Sequence, residues 1–346
     1  MPVVLLGSSL LVTFGLLEIS LRLLYPPPAR FFHPQEFYDF DPEVGHLLRG
    51  GQTAFTHDRP VHTNALGLRD HEISRAPAPG TLRVLALGDS QTFGNGLDLE
   101  ETWPKQLERA LPTAPGRRWE VINAGVPGTD TWQHEIFLRR LLDVTNPQVV
   151  VLGLYVNDVV PRHDPQVADT AERTNNWEKR LAYTLKRSAV VTWLFYRVYL
   201  PWQARRGGQA GSVEEHVLAG RNDPRAERGW RQVEQSLTAM KQSCDRRGIV
   251  LIVAVIPRRD QVSGDRPERI YNQRAYAVAT AHGIAVVDLL PDLTAAYRVQ
   301  GVGLFVPWDG HNSAAANRVI ATTLAPRVAE LAARRVGHPL PVSPAG

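Results

Sequence analysis

Five short apolar runs decide what this chain can fold into. They are LRVLAL from Leu82, WEVINA from Trp119, QVVVLGLYV from Gln148, GIVLIVAVI from Gly248 and GIAVVDLL from Gly283. Helix-period segments such as TWPKQLERAL and HEIFLRRLLDV stand between them. A strand that is apolar at every position, rather than at alternate ones, must be buried on both faces. Strands of that kind alternating with amphipathic helices form a parallel sheet with helices on either side. The chain is therefore expected to contain a three-layer α/β/α domain over residues 81–336. No internal repeat is present.

The first residues follow another pattern. PVVLLGSSLLVTFGLLEISLRLL, residues 2–24, is apolar up to Leu17 and then carries Glu18 and Arg22 one helical turn apart. At a rise of about 1.5 Å per residue, such a helix just spans a bilayer core of about 30 Å. No A-x-A cleavage site follows; Tyr25-Pro26-Pro27-Pro28 does. Residues 1–24 are expected to be an uncleaved transmembrane helix rather than a removed signal peptide or a buried core helix, so the membrane is a partner through residues 2–24. Arg22 stands at the end of the span, Arg30 follows it and no basic residue precedes it, which taken literally places the main domain in the cytoplasm.

Residues 25–80 are rich in Pro, Gly, His and aromatics and end in the linker-like RAPAPGT. VHTNALGLRD within them has the composition of a small extended element. A long excursion, about 162–229, separates the third and fourth runs. Its SAVVTWLFYRVYLPW is apolar on nearly every side and reads equally as a buried packing helix or as a lid or membrane-facing helix. Residues 337–346 read as a disordered tail.

Composition removes several function classes. The formal charge of +4 is mild and no basic block is interleaved with aromatics, which gives no support for a nucleic-acid partner. A single cysteine, Cys244, excludes an intramolecular disulfide and any multi-cysteine metal site. Its apparently helical surroundings, LTAMKQSCDRRG, predict a packed thiol.

In a parallel α/β sheet, functional groups gather at the carboxyl ends of the strands. The first run ends at Gly88-Asp89-Ser90, the second at NAGVPGTD and the third at Asn157-Asp158. Taken singly, these are ordinary turn and N-cap residues. The far end of the domain changes that, because VPWDGHNSAAANRVIATTLA puts Asp309 and His311 in a glycine-containing turn before a helix. A serine hydroxyl is a weak nucleophile until a base takes its proton, and that base needs a third group to fix its tautomer. Ser90, His311 and Asp309 supply nucleophile, base and orienter. The amides of Ser90 and Gly128 and the side-chain amide of Asn157 are the natural donors for an oxyanion.

GDSQTFG, NAGVPGTD, YVND and WDGH, in that order, resemble the four blocks of the SGNH, or GDSL-type, hydrolase family. The resemblance implies a flavodoxin-like three-layer domain with family residues at Ser90, Gly128, Asn157 and His311, Asp309 as the acidic partner, and no cofactor or metal. It selects Gly128 over Gly125, because the family's donor follows the strand-end Asn by five residues, here counted from Asn123. Trp103-Pro104 resembles the helix after the nucleophile. The anchor, TNALGLRD, GDSQTFGNGLDLEETWP and the late Asp-x-His together are similar to bacterial membrane-anchored SGNH proteins, which implies an extracytoplasmic catalytic domain.

Three features depart from the family pattern. The commoner spacing is Asp-x-x-His followed by Pro, whereas His311 lies two residues after Asp309 and Asn312 follows. The shorter form occurs in relatives that transfer or remove acetyl groups on polysaccharides. Tyr155 stands where a glycine is often found, which implies a narrowed acyl pocket, and the 162–229 excursion is unusual for a minimal member.

Other folds fit less well. An α/β-hydrolase needs G-x-S-x-G, and Gly88-Asp89-Ser90-Gln91-Thr92 lacks the second glycine. A two-metal phosphoesterase would bring clustered histidines to its Asp-x-His. His57, His62, His71 and His163 are instead expected at the surface. The sequence thus predicts a serine ester hydrolase, an esterase, lipase or carbohydrate deacetylase acting on an acylated carbohydrate, lipid or small ester. The alternatives are a polysaccharide O-acetyltransferase of the cell envelope and a non-catalytic glycan-binding envelope protein.

Overall fold

The computed structural model describes residues 2–26, 37–160, 188–199 and 213–336, together with residues 28, 30, 33, 185 and 202. The tail, His163 and most of the excursion lie outside them.

Helix α1 (Pro2–Leu24) comes first. Two small antiparallel hairpins follow, β1 (Tyr38–Asp41) with β2 (Gly45–Leu48), and β3 (Thr53–Thr56) with β4 (Arg59–His62). The extended element expected over residues 61–70 is a strand only at its start. From Thr63 it becomes a turn in which Asn64 Oδ1 accepts from the amides of Leu66 and Leu68, a side-chain mimic of backbone turn bonding.

All five apolar runs are strands of one parallel sheet: β5 (Thr81–Gly88), β6 (Arg118–Gly125), β7 (Val149–Leu154), β8 (Val250–Val255) and β9 (Ala285–Asp288). Their spatial order is β6-β5-β7-β8-β9. In sequence rank this is 2-1-3-4-5, the flavodoxin-like doubly wound order. Side chains alternate between the two faces, as the pleat requires. Leu85, Leu87, Val150, Leu152, Leu251 and Val253 join one core, while Val84, Ala86, Val149, Val151, Ile252 and Ala254 join the other.

The helices divide accordingly. Leu107 of α3 (Trp103–Ala110), Leu293 of α10 (Leu290–Gln300) and Leu324 of α11 (Ala314–Val336) fill the second core. The first core takes Leu138 of α4 (Thr131–Thr145), Leu237 of α7 (Pro224–Arg246) and Ala275 of α9 (Ile270–Ala281). Phe37, Val44 and Leu48 of the N-terminal extension pack there too. Residues 37–80 are thus part of the domain's packing. Cys244 is buried in α7, and burial pushes its thiol up to about 12.

Short helix α2 (Ser90–Phe93) follows β5 directly. Helices α5 (Ala189–Leu194) and α6 (Val213–Leu218) belong to the excursion, α7 begins at Pro224, inside the span expected to be excursion, and short α8 (Arg259–Ser263) follows β8. Residues 4–24 of α1 have a mean hydropathy of 1.9 and none of that stretch is buried. Near the end of α1, Glu18 pairs with Arg22 and accepts hydrogen bonds from Ser188 Oγ and from the amides of Ala189 and Val190. The anchor-like helix thereby caps α5.

Candidate active site

Strand β5 delivers its last residues to the carboxyl edge of the sheet between β6 and β7, where the strand order reverses. Asp89 caps α2: its Oδ1 accepts from the Gln91 amide at 2.8 Å. Ser90 is the first helical residue, so its amide points outward with no partner in the preceding turn. Gly94 closes the helix at φ +86. The buried guanidinium of Arg69, from the extension, then takes up the released carbonyls of Phe93 and Gly94 at 2.8 and 2.7 Å.

The glycine of β6 makes this packing possible. A Cβ at Gly125 would stand 2.2 Å from the backbone nitrogen of Phe93, so only glycine lets α2 lie against β6. Its own amide is bonded to Asn123 Oδ1 at 3.0 Å. Gly128 differs: it turns the chain after β6 at φ +78, and among the described residues a Cβ there would have only the His46 ring, 4.0 Å away, near it.

His311 and Asp309 arrive from the loop before α11. Phe305 and Asn312 bridge the base of that loop, and the amide of Asn312 donates to Gln91 Oε1 at 3.3 Å, tying it to α2. Trp308 at φ +70 and Gly310 at φ +93 reverse the chain tightly around Asp309. The structure brings three of the expected residues into line. His311 Nε2 lies 2.8 Å from Ser90 Oγ, and His311 Nδ1 lies 2.7 Å from Asp309 Oδ1.

Electrostatics follow from that line. Burial alone would raise the Asp309 carboxyl, but the charge and hydrogen bond of His311, with a hydrogen bond from His57, hold it well below the usual carboxylate range. Burial disfavours charge on His311. The charge and hydrogen bond of Asp309, with the charge of Asp89, outweigh it and raise the imidazole above its ordinary value.

Asn157 sits on the turn after β7. Its Nδ2 donates one hydrogen to Asp89 Oδ2 at 2.7 Å. An amide nitrogen carries two hydrogens, so one remains for a second acceptor. Asp158 behind it accepts from Thr131 Oγ1 at 2.9 Å and from the Tyr155 amide at 2.8 Å. Burial and the neighbouring charges of Asp89 and Asp130 push its carboxyl well up. Tyr155 packs against both cores, and burial raises its phenol.

Of the histidines expected at the surface, His62 and His71 are exposed. His57 is not: its side chain is 5% exposed and its Nε2 lies 3.0 Å from Asp309 Oδ2. The expectation failed because His57 is a turn residue, and turns normally face solvent. This turn is pressed against the site.

These features define a doubly wound α/β domain with a serine–histidine–aspartate line at the carboxyl edge of its sheet. The chain belongs to the GDSL-like lipase/acylhydrolase family, whose sequence model matches residues 86–319. A curated arylesterase of Vibrio mimicus is 30% identical over 123 residues, which are 36% of this chain and 58% of that protein. The chain thus spans little more than half the length of that relative.

Solved structures similar to this chain are more distant in sequence. The TesA crystal structure is 20% identical, covers 72% of this chain and 99% of its own, and has a TM-score of 0.43. A lipolytic G-D-S-L family member from Veillonella parvula is 14% identical, with 70% and 96% covered and a TM-score of 0.41. A catalytic mutant of Axe2, an acetylxylan esterase from Geobacillus stearothermophilus, is also 14% identical, with 75% and 95% covered and a TM-score of 0.40.

Proposed function

We propose that this chain is a serine-dependent ester hydrolase, and the observation that carries the reading is the Ser90–His311–Asp309 line. His311 Nε2 accepts the Ser90 proton as Oγ attacks the ester carbonyl. The imidazolium that forms is stabilised by Asp309 through the Nδ1–H bond. The oxyanion is met by the Ser90 and Gly128 amides and by the remaining Asn157 Nδ2 hydrogen. His311 returns the proton to the departing alcohol, leaving an acyl-Ser90 ester. Water, deprotonated by His311, then releases the acid. Family membership and the partial match to an arylesterase support this reading.

The test is hydrolysis of p-nitrophenyl esters of increasing acyl length, with and without polysaccharide acceptors. Released acid supports hydrolysis, while acyl sugar formed at its expense would make the protein a transferase. The pH profile adds a second check. His311 must be neutral to act as base, so activity rises with pH, and the raised pKa puts the midpoint above about 6.5. In Asp309→Asn the residual activity should have its midpoint at lower pH.

Asn157→Ala should lower kcat by about 10²–10³ with little change in KM, because an oxyanion donor acts on charge that develops only in the transition state. A rise in KM alone would make Asn157 a substrate-binding residue instead.

We further propose that α1 holds the catalytic domain at a membrane on its extracytoplasmic side. The length, exposure and mean hydropathy of 1.9 over residues 4–24 support the anchor, and the similarity to anchored envelope proteins supports the side. Removing residues 1–28 should give a soluble active protein, because Arg30 still exchanges backbone and side-chain bonds with Asp58. A C-terminal alkaline phosphatase fusion should be active. A fluorescent green fluorescent protein fusion without phosphatase signal would place the domain in the cytoplasm.

A further inference from the structure

We infer that His57, carried by the N-terminal extension, is a positioning residue for the triad: its Nε2–H clamps the second oxygen of Asp309. This rests on the ester-hydrolase reading above for its functional meaning, but the geometry is independent of that reading. Residues 25–80 precede the stretch matched by the family model, which begins at residue 86, so this histidine lies outside the matched stretch.

Asp309 needs such a clamp because of the turn that carries it. The Cβ–carboxylate torsion of Asp is soft, so a carboxylate held through one oxygen can rotate and lose its aim at the imidazole. In this turn the amides of Asp309 and Gly310 are directed at Val306 O, at 3.4 and 3.3 Å, rather than at the carboxylate. Among the described residues, hydrogen bonds reach the carboxylate from two side chains instead. His311 Nδ1 takes Oδ1 at 2.7 Å and His57 Nε2 takes Oδ2 at 3.0 Å. Both oxygens are engaged, and Oδ1 stays in the plane that His311 requires. His57 takes no part in the proton transfers, all of which run through His311.

The backbone around His57 is arranged for this contact. Thr56 pairs with Arg59 across a two-residue hairpin loop, and the loop residues His57 and Asp58 have φ of +45 and +64. Such a loop favours Asn-Gly, and a histidine at positive φ is uncommon. The hairpin does not depend on His57 for attachment. Thr56 Oγ1 accepts from the Gly96 amide at 3.0 Å, Arg59 pairs with Asp98 at 2.9 Å, and Asp58 exchanges bonds with Arg30. A histidine at positive φ whose hairpin is already fixed, buried against the catalytic carboxylate, is accounted for by the bond it makes there.

The experiment compares His57→Leu and His57→Gln with wild type in the full chain, in detergent micelles. Both variants place a non-glycine residue at the same positive φ, and Gln alone restores an N–H donor. With p-nitrophenyl acetate, His57→Leu should lose up to about 10²-fold in kcat with KM unchanged, the cost of a misaimed catalytic group, and His57→Gln should recover most of that loss. A merely structural role predicts equal losses from both, tracking their melting temperatures. If His57→Leu melts early, His57→Met supplies the donor-free comparison.

Histidine-selective NMR separates the two readings. The low-field Nδ1–H proton of His311 should shift or broaden in the donor-free variant and return in His57→Gln, whether or not any ester is turned over. A wild type that hydrolyses no ester and resists a fluorophosphonate probe, with this proton responding, would overturn the function and leave the clamp supported. A donor-free variant with wild-type kcat and an unmoved proton would overturn the clamp.

Discussion

Ser90→Ala should abolish ester cleavage, with a loss of about 10⁶-fold in kcat, while the protein stays folded. The size follows from the triad acting as a unit: without Oγ, His311 and Asp309 have no proton to move and no acyl-enzyme can form. Stability should survive because the helix cap is the carboxylate of Asp89, bonded to the Gln91 amide at 2.8 Å, and alanine suits the first helical turn. The hydroxyl's hydrogen bond is to His311, a partly solvated group that water can serve. A fluorophosphonate probe should label wild type and leave the variant unlabelled, with matching melting curves. Persistent labelling would move the nucleophile elsewhere, and an early melt would mean that Ser90 also carries structure.

The sheet and the Ser90–His311–Asp309 line are legible in the sequence for two different physical reasons. Strands buried on both faces must be apolar at every position, so β5, β7 and β8 announce themselves without knowledge of their neighbours. The residues at their carboxyl ends are then placed by the topology alone. Asp309 and His311 were legible because orienter and base lie in one turn, and the chemistry demands them as a pair.

The contribution of the extension was not legible. His57, Arg69 and Asp70 act on partners far along the chain, and nothing local to a histidine in a turn or an Arg-Asp pair after a glycine reports burial. The turn beginning at Thr63 has the composition of an extended element, yet its bonding runs through one side chain, Asn64, rather than through a strand partner. An Arg-Asp pair among apolar and small residues, in LGLRD, was the available signal. It does not say what the charges meet.

What Asp70 meets makes it the second large effect. Its side chain is 3% exposed, and its Oδ1 lies 2.9 Å from the ammonium of Lys105 on α3, itself 5% exposed. Its Oδ2 accepts from the amide of Asn123 on β6 at 2.7 Å. Asp70→Ala would leave a buried cation with the partly exposed Glu108 and the Val121 carbonyl as partners, and a buried amide with none of its former acceptor. Breaking one side of a buried pair costs about 3–5 kcal/mol, because the remaining charge stays desolvated. Arg69 beside it holds the carbonyls of Phe93 and Gly94, so the nucleophile helix should loosen along with the extension. Urea unfolding followed by tryptophan fluorescence should show the loss in Asp70→Ala. A double variant, Asp70→Leu with Lys105→Met, should recover much of it, since no buried charge is then left unpaired. The recovery should be incomplete, because Asn123 would still lack its acceptor. If Asp70→Ala cost less than about 1 kcal/mol, the extension would be a surface appendage. If the double variant fell as far as the single one, the loss would come from packing rather than from charge.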